Sequence, residues 1–343
     1  MSATAHTQGT YLRTFAPSPR HNTSTKSVLI YFITGNPGYI GYYHTFLDSL
    51  SSVLTSTSST PNINFTLLGR SLHGFEPTPE NITHGPFDFP EVIDATYRDV
   101  LEQKEKGFDA VILIGHSVGS YIALEVLSRL RGSDRSSPSA TSLNPSPDTK
   151  TKLNAILLFP TVTHIAQSPS GVKFRTLFSI PKFPTLVHHL SQYGFWALSD
   201  SILKAAVKRI TGMPEDAAAV TAHFLRSKTG VAQSLHMARD EMKTIMEDKW
   251  DEEIWGVERE EKDKAEAPRL VFLFGEDDHW VADHTRDALI KARGNGSDRV
   301  KMVLDEDKIP HGFCIHHSQQ VAEKVKTWVE GMVGEVLDKS EQA

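Results

Sequence analysis

The run Ala110-Val-Ile-Leu-Ile-Gly-His-Ser117-Val-Gly-Ser-Tyr-Ile-Ala-Leu-Glu-Val-Leu127 limits what this chain can fold into more than any other stretch. Residues 111–114 are continuously apolar, as a strand buried on both faces requires. Gly115-His-Ser-Val-Gly119 follows at once. Apolar residues then recur at Ile122, Val126 and Leu130, with Ala123 and Leu127 beside them, at the spacing of one buried helix face. A strand, a tight turn and a helix in that order hold a serine on a sharp elbow with its hydroxyl at the top of a sheet, and glycines on either side let the backbones approach. The pentapeptide alone is a weak signal, because Gly-x-Ser-x-Gly recurs by chance. Its place between a buried strand and an amphipathic helix makes Ser117 the candidate nucleophile, against the alternative of a glycine-rich turn with an idle serine.

Such an elbow predicts an α/β-hydrolase fold: a mostly parallel central sheet flanked by helices, with a helical lid inserted between the later strands. A length of 343 residues fits one core plus one insertion. Charged residues make up 23% and the net charge is -6, with no basic tract, which speaks against nucleic-acid binding. The single cysteine, Cys314, rules out an internal disulfide framework and fits a reducing compartment. Met1-Ser-Ala-Thr-Ala-His lacks the apolar core of a secretory signal, and no apolar run approaches spanning length, so a protein of the cytosol or peripheral to a membrane is expected. The 16 histidines include no His-Glu-x-x-His and no clustered Cys/His spacing, so neither a metal site nor an organic cofactor is expected.

Partners for Ser117 follow from the same topology. Residues 27–33 predict a buried strand behind a short edge strand over 10–15, and Thr34-Gly-Asn-Pro-Gly38 ends it where this fold places one oxyanion-hole donor. The second donor is the amide after the nucleophile. Pro37 has no amide hydrogen, which leaves Asn36 and Val118 as the candidate pair, beside the plain alternative of a reverse turn without chemistry. A helix over 42–54, a strand over 64–70 and a helix over 88–106 lead to the nucleophile strand. His73, on a loop, is expected to hold structure rather than substrate. The Ser/Pro-rich stretch 132–152 predicts a flexible surface loop. The strand over 155–159 has no carboxylate just beyond it. After the strand over 269–274 come Glu276, Asp277 and Asp278, all competing for the acid that orients a catalytic histidine. The last strand, 299–304, runs into Ile309-Pro-His311-Gly-Phe313, and a long helix from Ser318 closes the chain. His311 lies where the general base must; His316 and His317 fall too near the helix. Serine, acid, histidine is the chain order of this fold.

Residues 1–160 and 268–343 therefore predict the core, and 161–267 the lid. Within the lid, 172–210 alternates large apolar residues (Phe174, Phe178, Leu186, Leu190, Trp196, Ile202, Ile210) with Lys173, Arg175, Lys182, Lys204, Lys208 and Arg209, which suits a surface that meets lipid without spanning it. A buried contact between lid and core gives much the same pattern. The acidic run 247–266 predicts a solvated helix or linker face.

Four stretches together resemble the lipid droplet-associated serine hydrolases: Gly35-Asn-Pro-Gly-Tyr-Ile-Gly-Tyr-Tyr43-His-Thr-Phe46, Gly115-His-Ser-Val-Gly-Ser-Tyr121, Leu158-Phe-Pro-Thr-Val-Thr-His-Ile-Ala-Gln-Ser-Pro-Ser-Gly171 and Ile309-Pro-His-Gly-Phe-Cys-Ile-His-His-Ser318. The resemblance runs from about Ser27 to Val329, with the Ser/Pro loop as an insertion. It implies that Ser117 is the nucleophile and His311 the base, with Gly312 where the family has alanine. The family's acid stands in a Tyr-Gly-x-x-Asp-x-Trp pattern, so Phe274-Gly-Glu-Asp-Asp278-His-Trp280 implies Asp278, with Asp277 second.

The resemblance further implies association with lipid droplets and the endoplasmic reticulum, a role in neutral-lipid storage, and hydrolysis of a neutral-lipid or sterol ester. A serine nucleophile speaks against a haloalkane dehalogenase or an epoxide hydrolase, where an aspartate usually stands, and leaves thioesters open. The rival expectation is a droplet-coating protein that keeps a hydrolase core while its work is surface binding.

Overall fold

The computed structural model describes residues 3–7, 9–16, 25–56, 62–136, 151–195, 198–256, 267–294 and 297–341. Among the described residues eight strands form one sheet: β1 (Ala3–Thr7), β2 (Thr10–Phe15), β3 (Lys26–Ile33), β4 (Ile63–Arg70), β5 (Ala110–His116), β6 (Lys152–Leu158), β7 (Leu270–Gly275) and β8 (Val300–Asp305), in the order β1-β2-β4-β3-β5-β6-β7-β8. From β4 to β8 every pairing is parallel, while β2 lies antiparallel between β1 and β4. Residues 10–15 are thus not the edge expected for them, since β1 covers that side.

Period-two alternation in β3 explains why both faces are covered. Leu29, Tyr31 and Ile33 join one core cluster, with Val92, Ile122 and Val126 from the helices α3 (Phe89–Lys104) and α4 (Val118–Ser136). Val28, Ile30 and Phe32 join the other, with Phe46 and Leu50 of α1 (His44–Thr55) and Val325 and Val329 of the closing helix (Ser318–Glu341). A short helix, α2 (Pro79–His84), stands ahead of α3, capped by the Thr78 side chain.

Among the described residues, five helices occupy the chain between β6 and β7: α5 (Pro169–Phe178), α6 (Phe183–Gly194), α7 (Asp200–Thr211), α8 (Glu215–Arg226) and α9 (Gly230–Thr244). After β7 come α10 (Asp283–Arg293), β8 and α11, the closing helix Ser318–Glu341. Two expectations need correction. The helix α4 extends to Ser136, several residues into the stretch 132–152 read as loop, and 152 already belongs to β6; 137–150 lie outside the described residues. The acidic run is not all solvated: Trp250, Ile254 and Trp255 are buried, and the Trp255 ring stacks on Phe272 of β7 at 5.6 Å. Two of its charges stay at the rim, where Asp248 and Glu252 each lie 2.7 Å from the Arg293 guanidinium. A charge count does not see apolar rings interleaved with carboxylates. Residues 257–266 lie outside the described residues.

Candidate active site

Ser117 sits between the end of β5 and the start of α4 with φ at 55°, the left-handed region that a side chain other than glycine rarely adopts. Its backbone is held on both sides: its N–H donates to the Leu158 carbonyl at 3.0 Å, and its carbonyl accepts from Ser120 N–H at 2.9 Å. The two glycines of the pentapeptide are steric requirements. A Cβ on Gly115 would fall 2.4 Å from the Gly119 oxygen, and one on Gly119 would fall 2.4 Å from the Ile33 oxygen.

Loops from three strand ends meet at this elbow. His311 Nε2 lies 2.8 Å from Ser117 Oγ, and His311 Nδ1 lies 2.7 Å from Asp278 Oδ2. The Asp278 side chain is 2% exposed and that of His311 8%. The second Asp278 oxygen accepts from the Trp280 N–H at 2.8 Å, which fixes the carboxylate plane. Only one proton pattern uses every contact: Nδ1–H donates to the carboxylate and Nε2 accepts from the serine hydroxyl. Asp277 and Glu276 are exposed. The Glu276 carbonyl accepts from Arg286, which points that residue's main chain toward α10.

The loop after β3 lies directly against the elbow: a Cβ on Gly35 would fall 3.1 Å from Ser117 Cβ. The Gly35 N–H is already occupied, donating to Tyr43 Oη at 3.0 Å. Among the described residues the Asn36 and Val118 amides have no hydrogen-bond partner, so both are available to a developing oxyanion. Asn36's side chain, in contrast, is fully engaged with α9. The remaining sequence candidates lie elsewhere. His73 packs on Phe87 with ring centroids 4.0 Å apart, and burial lowers its pKa. The His317 N–H donates to the Phe313 carbonyl at the start of α11.

Two residues that sequence reasoning passed over tie the three loops together. His116 Nε2 lies 2.9 Å from the His311 carbonyl oxygen, which can only accept, so Nε2 carries the proton. Burial, with His311 alongside, holds the His116 pKa well below the usual histidine value, so the ring is neutral and Nδ1 accepts. Its donor is the Tyr43 hydroxyl at 2.7 Å. The chain of donors therefore runs from Gly35 N–H to Tyr43, to His116, to the main chain of His311. Both residues stood in stretches already singled out, but a buried histidine beside a nucleophile has no periodicity or spacing to mark it.

The lid divides by exposure. Of twelve large apolar side chains left exposed among the described residues, eight fall between Val172 and Ile210, which favours an outward-facing surface over core packing there. Leu186, Leu190 and Tyr193 are 66%, 66% and 72% exposed and share one face of α6, and Ile210 of α7 is 83% exposed. Leu203 and Val207 do form a small lid core with Ala218 and Ala222. Trp196 lies outside the described residues. No helix among the described residues is long and apolar enough to cross a membrane.

Comparison with known proteins places this geometry in context. A family model described as lipid-droplet associated hydrolase matches residues 26–314. The lipid droplet-associated hydrolase of Mus musculus is 26% identical over 323 residues, covering 90% of this chain and 87% of its own. That of Gallus gallus is 24% identical over 309 residues, covering 88% and 84%. Among solved structures, juvenile hormone epoxide hydrolase from the silkworm Bombyx mori superposes with a TM-score of 0.54 at 12% identity, covering 98% of this chain and 76% of that one. The last likeness is one of fold.

Proposed function

The chain belongs to the lipid-droplet associated hydrolase family, and from that premise we propose that it is a serine esterase acting on neutral-lipid or sterol esters at a droplet surface. The observation that carries the reading is the unbroken chain Asp278–His311–Ser117, with both contacts under 3 Å and its acid buried. His311 Nε2 takes the Ser117 proton as Oγ attacks the ester carbonyl, and Asp278 stabilises the imidazolium that forms. The Asn36 and Val118 amides receive the oxyanion. His311 then protonates the leaving alcohol, and water, deprotonated by the same ring, releases the acyl group from Ser117. None of these steps calls for a metal or an organic cofactor.

The apolar face of α5–α7 supports a peripheral site of work at a lipid surface, and the family's name directs the proposal to lipid droplets; the endoplasmic reticulum surface, a cytosolic pool and a role in neutral-lipid storage are proposed with it. Profiling purified protein against an emulsified panel of sterol esters, triacylglycerols, diacylglycerols and short esters, with Ser117→Ala as the blank, tests the assignment. Hydrolysis by the parent and none by the variant is the expected result; equal rates for the two overturn it. The same exposed face favours a second reading, a droplet-surface protein for which turnover is secondary. Rescue of a droplet phenotype by Ser117→Ala decides for that reading, and failure to rescue despite normal targeting decides for the enzyme.

A further inference from the structure

On α9, Ser234 and Glu241 stand two turns apart on one face, and the side chain of Asn36 reaches between them. Asn36 Nδ2 donates to the Ser234 carbonyl at 3.0 Å and to Glu241 Oε1 at 3.0 Å, and Ser234 Oγ donates back to Asn36 Oδ1 at 2.7 Å. Both hydrogens and the oxygen of this amide are thus held by a lid helix, although Asn36 itself belongs to the loop that ends β3. We propose that Ser234 and Glu241 are positioning residues: through the Asn36 side chain, α9 sets the place of the Asn36 amide beside Ser117, so that turnover requires the lid to be seated on the sheet. The inference rests on the reading of that amide as an oxyanion donor.

Glu241 is buried, and among the described residues no cation meets it. The charged groups at this end of α9 are His236, Arg239, Asp240 and Lys243 on the helix itself and Asp88 from the start of α3. They pair with one another, His236 with Asp88 at 2.6 Å and Lys243 with Asp240 at 3.6 Å. Among the described residues of α5, α6 and α8, no charged group bears on the Glu241 carboxyl. Burial first, and the Asp240 charge after it, push Glu241 up to about 8, while the hydrogen bond from Asn36 acts the other way. The carboxyl is therefore uncharged at neutral pH. Losing its proton puts an unpaired charge under the lid, which loosens α9 and the loop it holds.

The test is turnover of soluble p-nitrophenyl butyrate from pH 6 to 10 by the parent, Glu241→Gln and Ser234→Ala, with fluorophosphonate labelling of Ser117 and a thermal melt of each protein. The parent should lose activity above about pH 8, while Glu241→Gln, which keeps the uncharged acceptor, should match it within about threefold at pH 7 and lack that alkaline limb. Ser234→Ala should lower kcat about tenfold with KM within about twofold and the melt little changed. Coincident alkaline limbs for the parent and Glu241→Gln, or a Ser234→Ala kcat equal to the parent's, overturn the positioning role while Ser117 labelling stands. A parent protein that does not label overturns the serine mechanism and this inference with it.

Discussion

Helices α6 and α9 are neighbours in one lid, yet they present opposite surfaces. Along α9, Val231, Gln233, Met237, Ala238 and Glu241 are buried, and the two buried polar side chains, Gln233 and Glu241, are hydrogen-bonded to loops of the core. Gln233 takes the Phe87 N–H at 2.7 Å and gives to the Phe87 carbonyl at 2.9 Å, closing a two-way clamp as specific as a strand pairing. Along α6 only Ser191 is buried, and Leu186, Leu190 and Tyr193 face outward. An inner helix held by satisfied hydrogen bonds costs free energy to lift, whereas an outer helix with exposed leucines gains free energy when an apolar phase covers it. On the proposed reading, one half of the lid serves precision and the other attachment.

Removing the nucleophile separates the two halves most sharply. Ser117→Ala should lower ester turnover by at least about a thousandfold, and Asp278→Asn by a comparable factor, with binding to phospholipid-coated triolein droplets unchanged in flotation assays. Loss of droplet binding in either variant would show that attachment depends on the chemistry and break the division. The converse change is Leu186→Ser/Leu190→Ser/Tyr193→Ser. Taking three exposed side chains out of a lipid contact removes about 3 kcal/mol, or about a hundredfold in droplet affinity. Hydrolysis of a soluble ester should stay within about twofold of the parent, because α6 has no hydrogen bond to the triad loops among the described residues.

Stability sharpens the comparison from the inner side. Glu241 sits at about 8 in the folded chain against an ordinary 4.5. Between those values the folded chain keeps a proton that the unfolded chain has lost, so the folded state binds more protons and stability falls as pH rises through this window, then levels off above it. The slope reaches up to about 1.4 kcal/mol per pH unit. Denaturant melts of the parent at pH 5, 6, 7 and 8 should show that decline relative to Glu241→Gln, and parallel curves for the two proteins would mean that the carboxyl is not buried uncharged. Tyr43→Phe probes the other tether. It leaves the Gly35 N–H and His116 Nδ1 without their shared hydroxyl, and should lower kcat about tenfold with KM nearly constant. A change confined to KM would move Tyr43 from the triad's support to substrate contact.

How much of the molecule is legible in its sequence follows from range. Buried strands announce themselves over five or six consecutive residues, and Ser117, an acid and His311 each follow a strand end, so the strand pattern gives their order but leaves Glu276, Asp277 and Asp278 competing for the acid. Register and face are less open to such reading. Helix α6 has the same apolar spacing as a core helix, and only the lack of a partner surface among the described residues decides that Leu186 and Leu190 face outward. Glu241 is hidden more completely, because Arg239-Asp-Glu-Met-Lys243 reads as a solvated face. Its hydrogen-bond partner is Asn36, some two hundred residues earlier in the chain. Likewise no local pattern distinguishes Trp250 and Trp255 from the acidic residues around them.

The smallest expected effect concerns the residue next to the acid. Asp277 and Asp278 are adjacent, carry the same charge and follow the same strand, so any account resting on net charge near His311 predicts similar losses for both. The structure separates them by direction: Asp278 Oδ2 meets His311 Nδ1 at 2.7 Å with its other oxygen fixed by Trp280, while Asp277 is exposed and has no such contact. An exposed carboxylate is screened by water and salt, so Asp277→Asn should change kcat/KM by less than about twofold. Raising the ionic strength should shrink even that difference, as it does for surface charges and does not for a buried pair. A loss for Asp277→Asn comparable with that for Asp278→Asn, measured on the same soluble ester at neutral pH, would mean that the loop after β7 turns the other carboxylate inward in the working enzyme.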